Sequence, residues 1–206
     1  TLAAVICIKD PVREEAKRVV AELHDLGIKK VVMMTGDSKR NAERVAAEIG
    51  IDEVHAEVLP EDKAAYVKQA KAEGYTVMMV GDGINDSPAI SEAHVGIAMN
   101  EGAPIAQKIA NVTISSDNLQ ALVDLRRISL ALMKRIKANY NGIVGFNGAL
   151  VGGGVLGIMP PNQTAWLHNL FTLGIGIESM TPLLKEDKKE EEVVPTIDVT
   201  ADSVVA

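Results

Sequence analysis

The sequence predicts an α/β fold built on a parallel sheet, followed by a transmembrane helical hairpin, and three observations carry that expectation. Short apolar runs alternate with amphipathic helical stretches over the first two thirds of the 206 residues. The apolar run Tyr75–Val80 leads straight into Gly81-Asp82-Gly83-Ile84-Asn85-Asp86-Ser87-Pro88, a turn with two carboxylates and an amide at the carboxyl end of a strand. After Asn139, two stretches of nearly bilayer length carry almost no charge.

The elements follow in order. Leu2–Ile8 is a strand-like run closed by Asp10-Pro11, and Pro11–Leu26 places Val12, Ala16, Val19, Val20, Leu23 and Leu26 at helical spacing before the Gly27 stop. Lys30–Met34 reads as the next strand, leading into Thr35-Gly36-Asp37; Ser38–Ile49 is a second helix, stopped by Gly50. A third helix covers about Glu61–Glu73 after the Leu59-Pro60 break, and the strand Tyr75–Val80 follows. Beyond the Gly81 turn, Ile90–Glu92 looks helical, Val95–Met99 extended, Ala103–Ile109 helical and Val112–Ile114 extended. Strands and helices alternating at these lengths make one parallel sheet covered on both faces, with right-handed crossovers. This α/β region ends near residue 117.

Composition narrows the function. The chain is 47% hydrophobic but 3% aromatic, with a formal charge of −7, which argues against base-stacking platforms and against nucleic acid as a partner. Cys7, the single cysteine, lies in an apolar run and reads as core; it excludes an internal disulfide. The chain opens on Thr1 inside a strand-like run, which reads as a fragment or a processed piece.

Residues 118–140 read as a connecting amphipathic helix through Leu122, Leu125, Ile128, Leu132 and Ile136. Residues 141–184 read as two membrane spans. Gly142–Met159 has no charged residue, Pro160-Pro161-Asn162-Gln163 breaks it, and Thr164–Leu184 is apolar except at His168, Asn169 and Glu178. Lys134, Arg135 and Lys137 before the hairpin, with Lys185, Lys188 and Lys189 after it, put both ends in the cytoplasm by the positive-inside rule. A glycine-rich soluble core is the competing reading of 141–184, and it leaves too few polar positions to face water. Residues 185–206 read as a disordered charged tail.

Three pieces of chemistry converge at the carboxyl ends of the strands. Thr35-Gly36-Asp37 offers a hydroxyl and backbone amides to phosphate oxygens at a helix start. Lys63 offers a mobile positive charge. Asp82, Asn85 and Asp86 offer a hard oxygen ligand for magnesium, an amide donor, and a carboxylate that coordinates the metal or orients Lys63. Phosphoryl transfer is mostly positioning and charge neutralisation, which these groups supply. Each piece has a plainer reading: the Thr-Gly-Asp triplet as a turn and cap, Lys63 as a surface lysine. A dinucleotide site is excluded because Asp86 stands where the third glycine of Gly-x-Gly-x-x-Gly belongs.

Asp10-Pro11-Val12-Arg13, Thr35-Gly36-Asp37, Pro60-Glu61-Asp62-Lys63 and Gly81-Asp82-Gly83-Ile84-Asn85-Asp86 occur in the order found in P-type ATPases, which the chain resembles over residues 1 to about 184. With Val95-Gly96-Ile97-Ala98-Met99 and a closing hairpin, it is similar to the heavy-metal-transporting subgroup. The resemblance implies a haloacid-dehalogenase-like fold, with Thr35 and Gly36 on the aspartyl phosphate, Lys63 neutralising it, Asp82 holding Mg2+, Asn85 bonding the phosphoryl group, Asp86 ordering the site and Asp37 fixing the loop near the nucleotide. Asp10 and Arg13 are implied at an interface with a nucleotide-binding domain.

The family's Asp-Lys-Thr-Gly-Thr motif, its nucleotide-binding and actuator domains and its earlier membrane helices are not in this sequence. The expectation is therefore a carboxyl-terminal part of a pump, inactive alone, with ATP bound mainly by the missing domain and the missing amino-terminal part as its partner. Lipid and a transition-metal cation are the other expected partners. His168, Asn169 and Glu178, with Thr172 and Met180, are the candidate ligands for the transported ion, since ionisable groups at membrane depth are costly; an interfacial position for His168 and Glu178 is the competing reading. Imidazole with carboxylate suits zinc, cobalt or manganese. A membrane-tethered phosphatase and a truncated regulatory subunit are the alternative functions.

Overall fold

The computed structural model describes residues 12–81, 84–99, 104–114 and 118–183. The expected strand Leu2–Ile8, with Cys7 and Asp10, lies outside the described residues, as do Asp82 and the tail 185–206. The elements run α1 (Ala16–Asp25), β1 (Val32–Met34), α2 (Lys39–Ile49), β2 (Glu53–His55), α3 (Pro60–Ala72), β3 (Met78–Gly81), a 3-10 turn (Ile84–Asp86), α4 (Ser87–Glu92), β4 (Val95–Met99), α5 (Pro104–Ile109), β5 (Val112–Ile114), α6 (Gln120–Val155) and α7 (Pro161–Ser179). Backbone contacts divide the chain into two compact units, Thr1–Leu130 and Ala131–Ala206.

In the first unit every strand pair is parallel, as alternating strands and helices require. The described strands form two sheets rather than the single one expected. β1 pairs with β2 in the register Val32 to Glu53, and β3, β4 and β5 form a second sheet in that order. Among the described residues none pairs β1 with β3. β2 was not expected: Glu53-Val54-His55 holds one apolar residue, and its extended form comes from backbone pairing with β1.

Helix boundaries follow local chemistry. Gly50 closes α2 in the left-handed region at φ 83°, and its N–H donates to the Ala46 carbonyl at 2.9 Å. Pro60 starts α3 where its missing N–H costs nothing, and the Asp62 carboxylate accepts from the Leu59 N–H at 3.3 Å. One core packs α3 and α4 on the second sheet through Val67, Met79, Ala89, Ile90, Ala98 and Ala106, with Met34 of β1 against it. The opposite face of that sheet buries Ile97, Met99 and Ile114 against Leu122 at the start of α6. Val19 and Leu23 of α1 enclose Val123, and the Glu22 carboxylate accepts from Arg127 Nη2 at 2.8 Å and Gln120 Nε2 at 3.1 Å.

The second unit is a helical hairpin, turned at Gly157, φ +71°. Phe146 stacks on Phe171 with ring centroids 4.1 Å apart. At the far end Arg135 donates to the carbonyls of Ser179, Thr181 and Pro182 and to Thr181 Oγ1, and Asn139 Nδ2 donates to Ser179 Oγ at 3.1 Å. Instead of a separate connecting helix and first span, α6 is one helix of 36 residues. Among the described residues no helix is long and apolar enough to cross a membrane, which departs from the expected pair of spans. α6 ends at Val155, short of the apolar run to Met159, and takes in Asn139, Asn141, Asn147 and a series of glycines, while Asn162, Gln163, His168, Asn169 and Glu178 dilute α7.

Candidate functional site

β1 and β3 each end in a polar loop, and these loops carry the candidate residues. After Met34 the chain turns through Thr35-Gly36-Asp37 into Ser38, which precedes α2. Thr35 Oγ1 accepts the Asp37 N–H at 3.1 Å, which leaves the hydroxyl proton to donate elsewhere. Asp37 is exposed, and its Oδ2 accepts from Asn41 Nδ2 at 3.3 Å.

After β3, the 3-10 turn swings Asp86 back beneath Gly81. A Cβ added at Gly81 would lie 2.5 Å from Asp86 Cβ, so only glycine fits there. Asp86 is the one buried charged residue among those described, 9% exposed, and its Oδ1 accepts from Lys63 Nζ at 2.8 Å. That pair joins the first turns of α3 to the 3-10 turn, with both side chains about six-sevenths enclosed at 14% and 13% exposure. Ser87 Oγ beside it is buried with no hydrogen-bond partner among the described residues. Asn85 sits exposed on the same turn.

The β2–α3 connection, which sequence reasoning passed over, braces the first loop. The Thr35 N–H donates to the His55 carbonyl at 2.9 Å, Val58 N–H donates to the Thr35 carbonyl at 3.0 Å, and Glu57 N–H donates to the Asp37 carbonyl at 3.0 Å. Glu57 is the one non-glycine residue with positive φ among those described, at 58°. Behind it, Glu53 accepts from Lys30, from His55 Nε2 at 2.6 Å and from Tyr66 OH at 3.3 Å, and the His55 and Tyr66 rings lie 4.6 Å apart. The hydrogen bond from Lys30, then that from His55, holds the Glu53 carboxyl below the usual carboxylate range. The same bond raises Lys30, and burial followed by the Glu53 charge raises Tyr66.

In the second unit the candidate ion ligands are not gathered. His168 Nδ1 meets Asn147 Oδ1 at 2.9 Å, while Glu178 lies ten residues along α7, about 15 Å of helix rise away. His168, Asn169 and Glu178 are all exposed. Asn147 was missed by sequence reasoning, although it is the polar interruption of the Gly142–Met159 run. Among the described residues no three His, Cys, Asp or Glu side chains are placed to hold a metal ion.

The profile of the haloacid dehalogenase-like hydrolase family matches residues 1–94. A zinc-exporting P-type ATPase of Mycobacterium marinum is 42% identical over 178 residues, 85% of this chain and 24% of that protein. A probable cadmium-transporting ATPase of Staphylococcus aureus is 36% identical over 193 residues, 91% of this chain and 24% of that protein. The chain belongs to the heavy-metal P-type ATPases. The crystal structure of a zinc-transporting PIB-type ATPase superposes at a TM-score of 0.77 with 32% identity, covering 86% of this chain and 29% of that one. A match of that breadth takes in part of the helical hairpin, since residues 1–117 are little more than half of the 206. This P-type ATPase chain spans about a quarter of the length of the curated relatives it matches. The α/β region is the haloacid-dehalogenase-like part that the sequence motifs implied.

Proposed function

We propose that these residues supply the magnesium- and phosphate-binding half of the catalytic site of an ATP-driven transition-metal cation pump that works through an aspartyl phosphate. The Lys63–Asp86 pair carries the proposal: a nearly enclosed lysine is held 2.8 Å from a buried carboxylate at the carboxyl end of β3, on the turn that also holds Asn85, with Asp82 just ahead of that turn in the sequence. An enclosed pair of this kind is costly to build for stability alone, and phosphoryl transfer gives it a use.

Asp82 is the group to hold Mg2+, with Asp86 in the shell behind it ordering the site, and the chemistry fits a hard cation: carboxylate oxygens, the close approach at Gly81 and a Ser87 Oγ without a partner among the described residues. Bound there, the metal neutralises charge on the transferring phosphoryl oxygens. Lys63 places its ammonium where phosphate charge gathers, Thr35 donates its hydroxyl proton, exposed Gly36 offers its backbone amide, and Asn85 donates its amide. Asp37 orders the loop through Asn41.

The relatives export or transport zinc, cadmium, manganese or copper by name, which supports a transition metal as the cargo. In this reading residues 1–117 serve the phosphorylation domain in the cytoplasm, 118–140 connect, and 141–184 join other helices in the membrane, where neighbours cover the polar positions that keep either helix from spanning alone. His168, with Asn147, then lies on the ion pathway; Asn169 and Glu178 are the remaining candidates.

Asp82→Asn in the intact pump is expected to abolish Mg2+-dependent phosphorylation by ATP; retained phosphoenzyme would remove Asp82 from the metal site. The family match over residues 1–94 also favours a second reading, a phosphatase without transport. ATP-driven metal uptake into inverted vesicles separates the two, since a phosphatase hydrolyses a phosphate ester and moves no metal.

A further inference from the structure

The structure assigns to Glu57 the role of a positioning residue that locks the Thr35–Asp37 loop to the helix carrying Lys63, through its backbone rather than its carboxylate. The assignment rests on the proposal that Thr35, Gly36 and Lys63 bind phosphate.

Glu57 holds φ 58°, a region that non-glycine residues enter rarely and at a conformational cost. Strain of this kind persists where surrounding bonds over-determine it, and here they do. Glu57 N–H donates to the Asp37 carbonyl and Val58 N–H to the Thr35 carbonyl, both at 3.0 Å, so the turn grips the loop at two points, one on each side of Gly36. An added Cβ at Gly36 would stand 4.0 Å from the Val58 carbonyl oxygen, which shows how closely the two backbones run.

The segment Ala56–Leu59 that carries this grip then leads into α3, and Lys63 sits one turn into that helix. A single left-handed residue thus sets the spacing between two groups that face the same anion. The Glu57 side chain is exposed, so its charge is not what the geometry uses. Asp86 is positioned separately, by β3 and the close approach at Gly81. A change at Glu57 that disfavours the left-handed conformation should therefore weaken phosphate binding and leave the Mg2+ requirement unaltered.

The test orders variants by tolerance of the left-handed conformation rather than by charge. Glu57→Gly and Glu57→Asn tolerate it; Glu57→Ala tolerates it poorly and Glu57→Val worst. In the 206-residue chain in detergent, amide hydrogen exchange at Thr35, Glu57 and Val58 should accelerate about tenfold or more in the Val variant, less in Ala, and stay slow in Gly and Asn. Titration with inorganic phosphate at fixed Mg2+, read at the Gly36 amide by NMR, should weaken in the same order while the Mg2+ midpoint holds. Glu57→Gln separates charge from backbone: it should behave as the parent chain does. Unchanged exchange in the Val variant overturns the assignment, as does a loss in Gln or Gly equal to that in Val. If the parent chain binds no phosphate, these residues do not form a phosphate site on their own, and the exchange order still decides whether Glu57 holds the loop.

Discussion

In the α/β unit, Val67, Ile90, Ile97 and Val123 are fully enclosed, whereas from Ala131 onward the described residues bury only Leu150. There Val151, Val155, Leu156, Leu170, Leu173 and Ile177 all stand more than half exposed. The first unit encloses a core among its described residues. The second leaves many of its large apolar side chains exposed, so its stability depends on what covers them.

The sharpest way to break that contrast is one substitution made twice. Ile97→Ala, at a fully buried site in β4, should cost about 2–5 kcal/mol in chemical unfolding of the chain. Ile177→Ala, at 60% exposure in α7, should cost less than about 0.5 kcal/mol in the same experiment. Equal costs would mean that the α7 face is already covered in solution, by a second copy or by detergent packed as tightly as protein.

A smaller effect is expected where the hairpin holds itself together by polar contacts. Arg135 bonds four oxygens of residues 179–182, among them the carbonyl of Ser179, the last residue of α7. Arg135→Ala should free that end at a cost of about 1 kcal/mol, seen as faster exchange over residues 178–182 with no change at Ile97. Unchanged exchange would show that the remaining contacts, Asn139 with Ser179, Asn147 with His168 and Phe146 on Phe171, close the hairpin without Arg135.

Legibility followed the same division. β3 and β4 were readable because Met78–Val80 and Val95–Met99 are apolar runs bounded by turn chemistry, and the Lys63–Asp86 pair was readable because both belong to motifs. β2 was not readable, since Glu53 and His55 use their side chains in a polar cluster and only the backbone pairs. The brace at Glu57 was hidden for a related reason: left-handed turns advertise themselves by glycine or asparagine, and here a glutamate takes that conformation. In the hairpin, composition marked a boundary near residue 140 that the helix ignores, because its backbone bonds continue whichever side chains it carries. His168 was visible as an isolated polar residue, but its partner Asn147 lies on the other helix.

The smallest expected effect concerns the polar cluster around β2, where the α/β unit most resembles the hairpin in relying on exposed contacts. Lys30 and His55 hold the Glu53 carboxyl below its ordinary value. A lowered carboxylate contributes stability that is fully present above the unfolded value, about 4.3, and is lost as pH falls through the folded value. Glu53→Gln should therefore lower stability slightly at neutral pH, and the gap from the parent chain should close as pH drops below about 4. At the alkaline end Lys30 and Tyr66, both raised, contribute below their unfolded values and lose that contribution as pH rises through the folded ones. Because the cluster is partly solvated, the difference should also shrink with added salt. Urea unfolding of both chains between about pH 3 and 7 checks this, and parallel curves across that range would show that the charge on Glu53 contributes nothing, leaving β2 held by its backbone pairing with β1 alone.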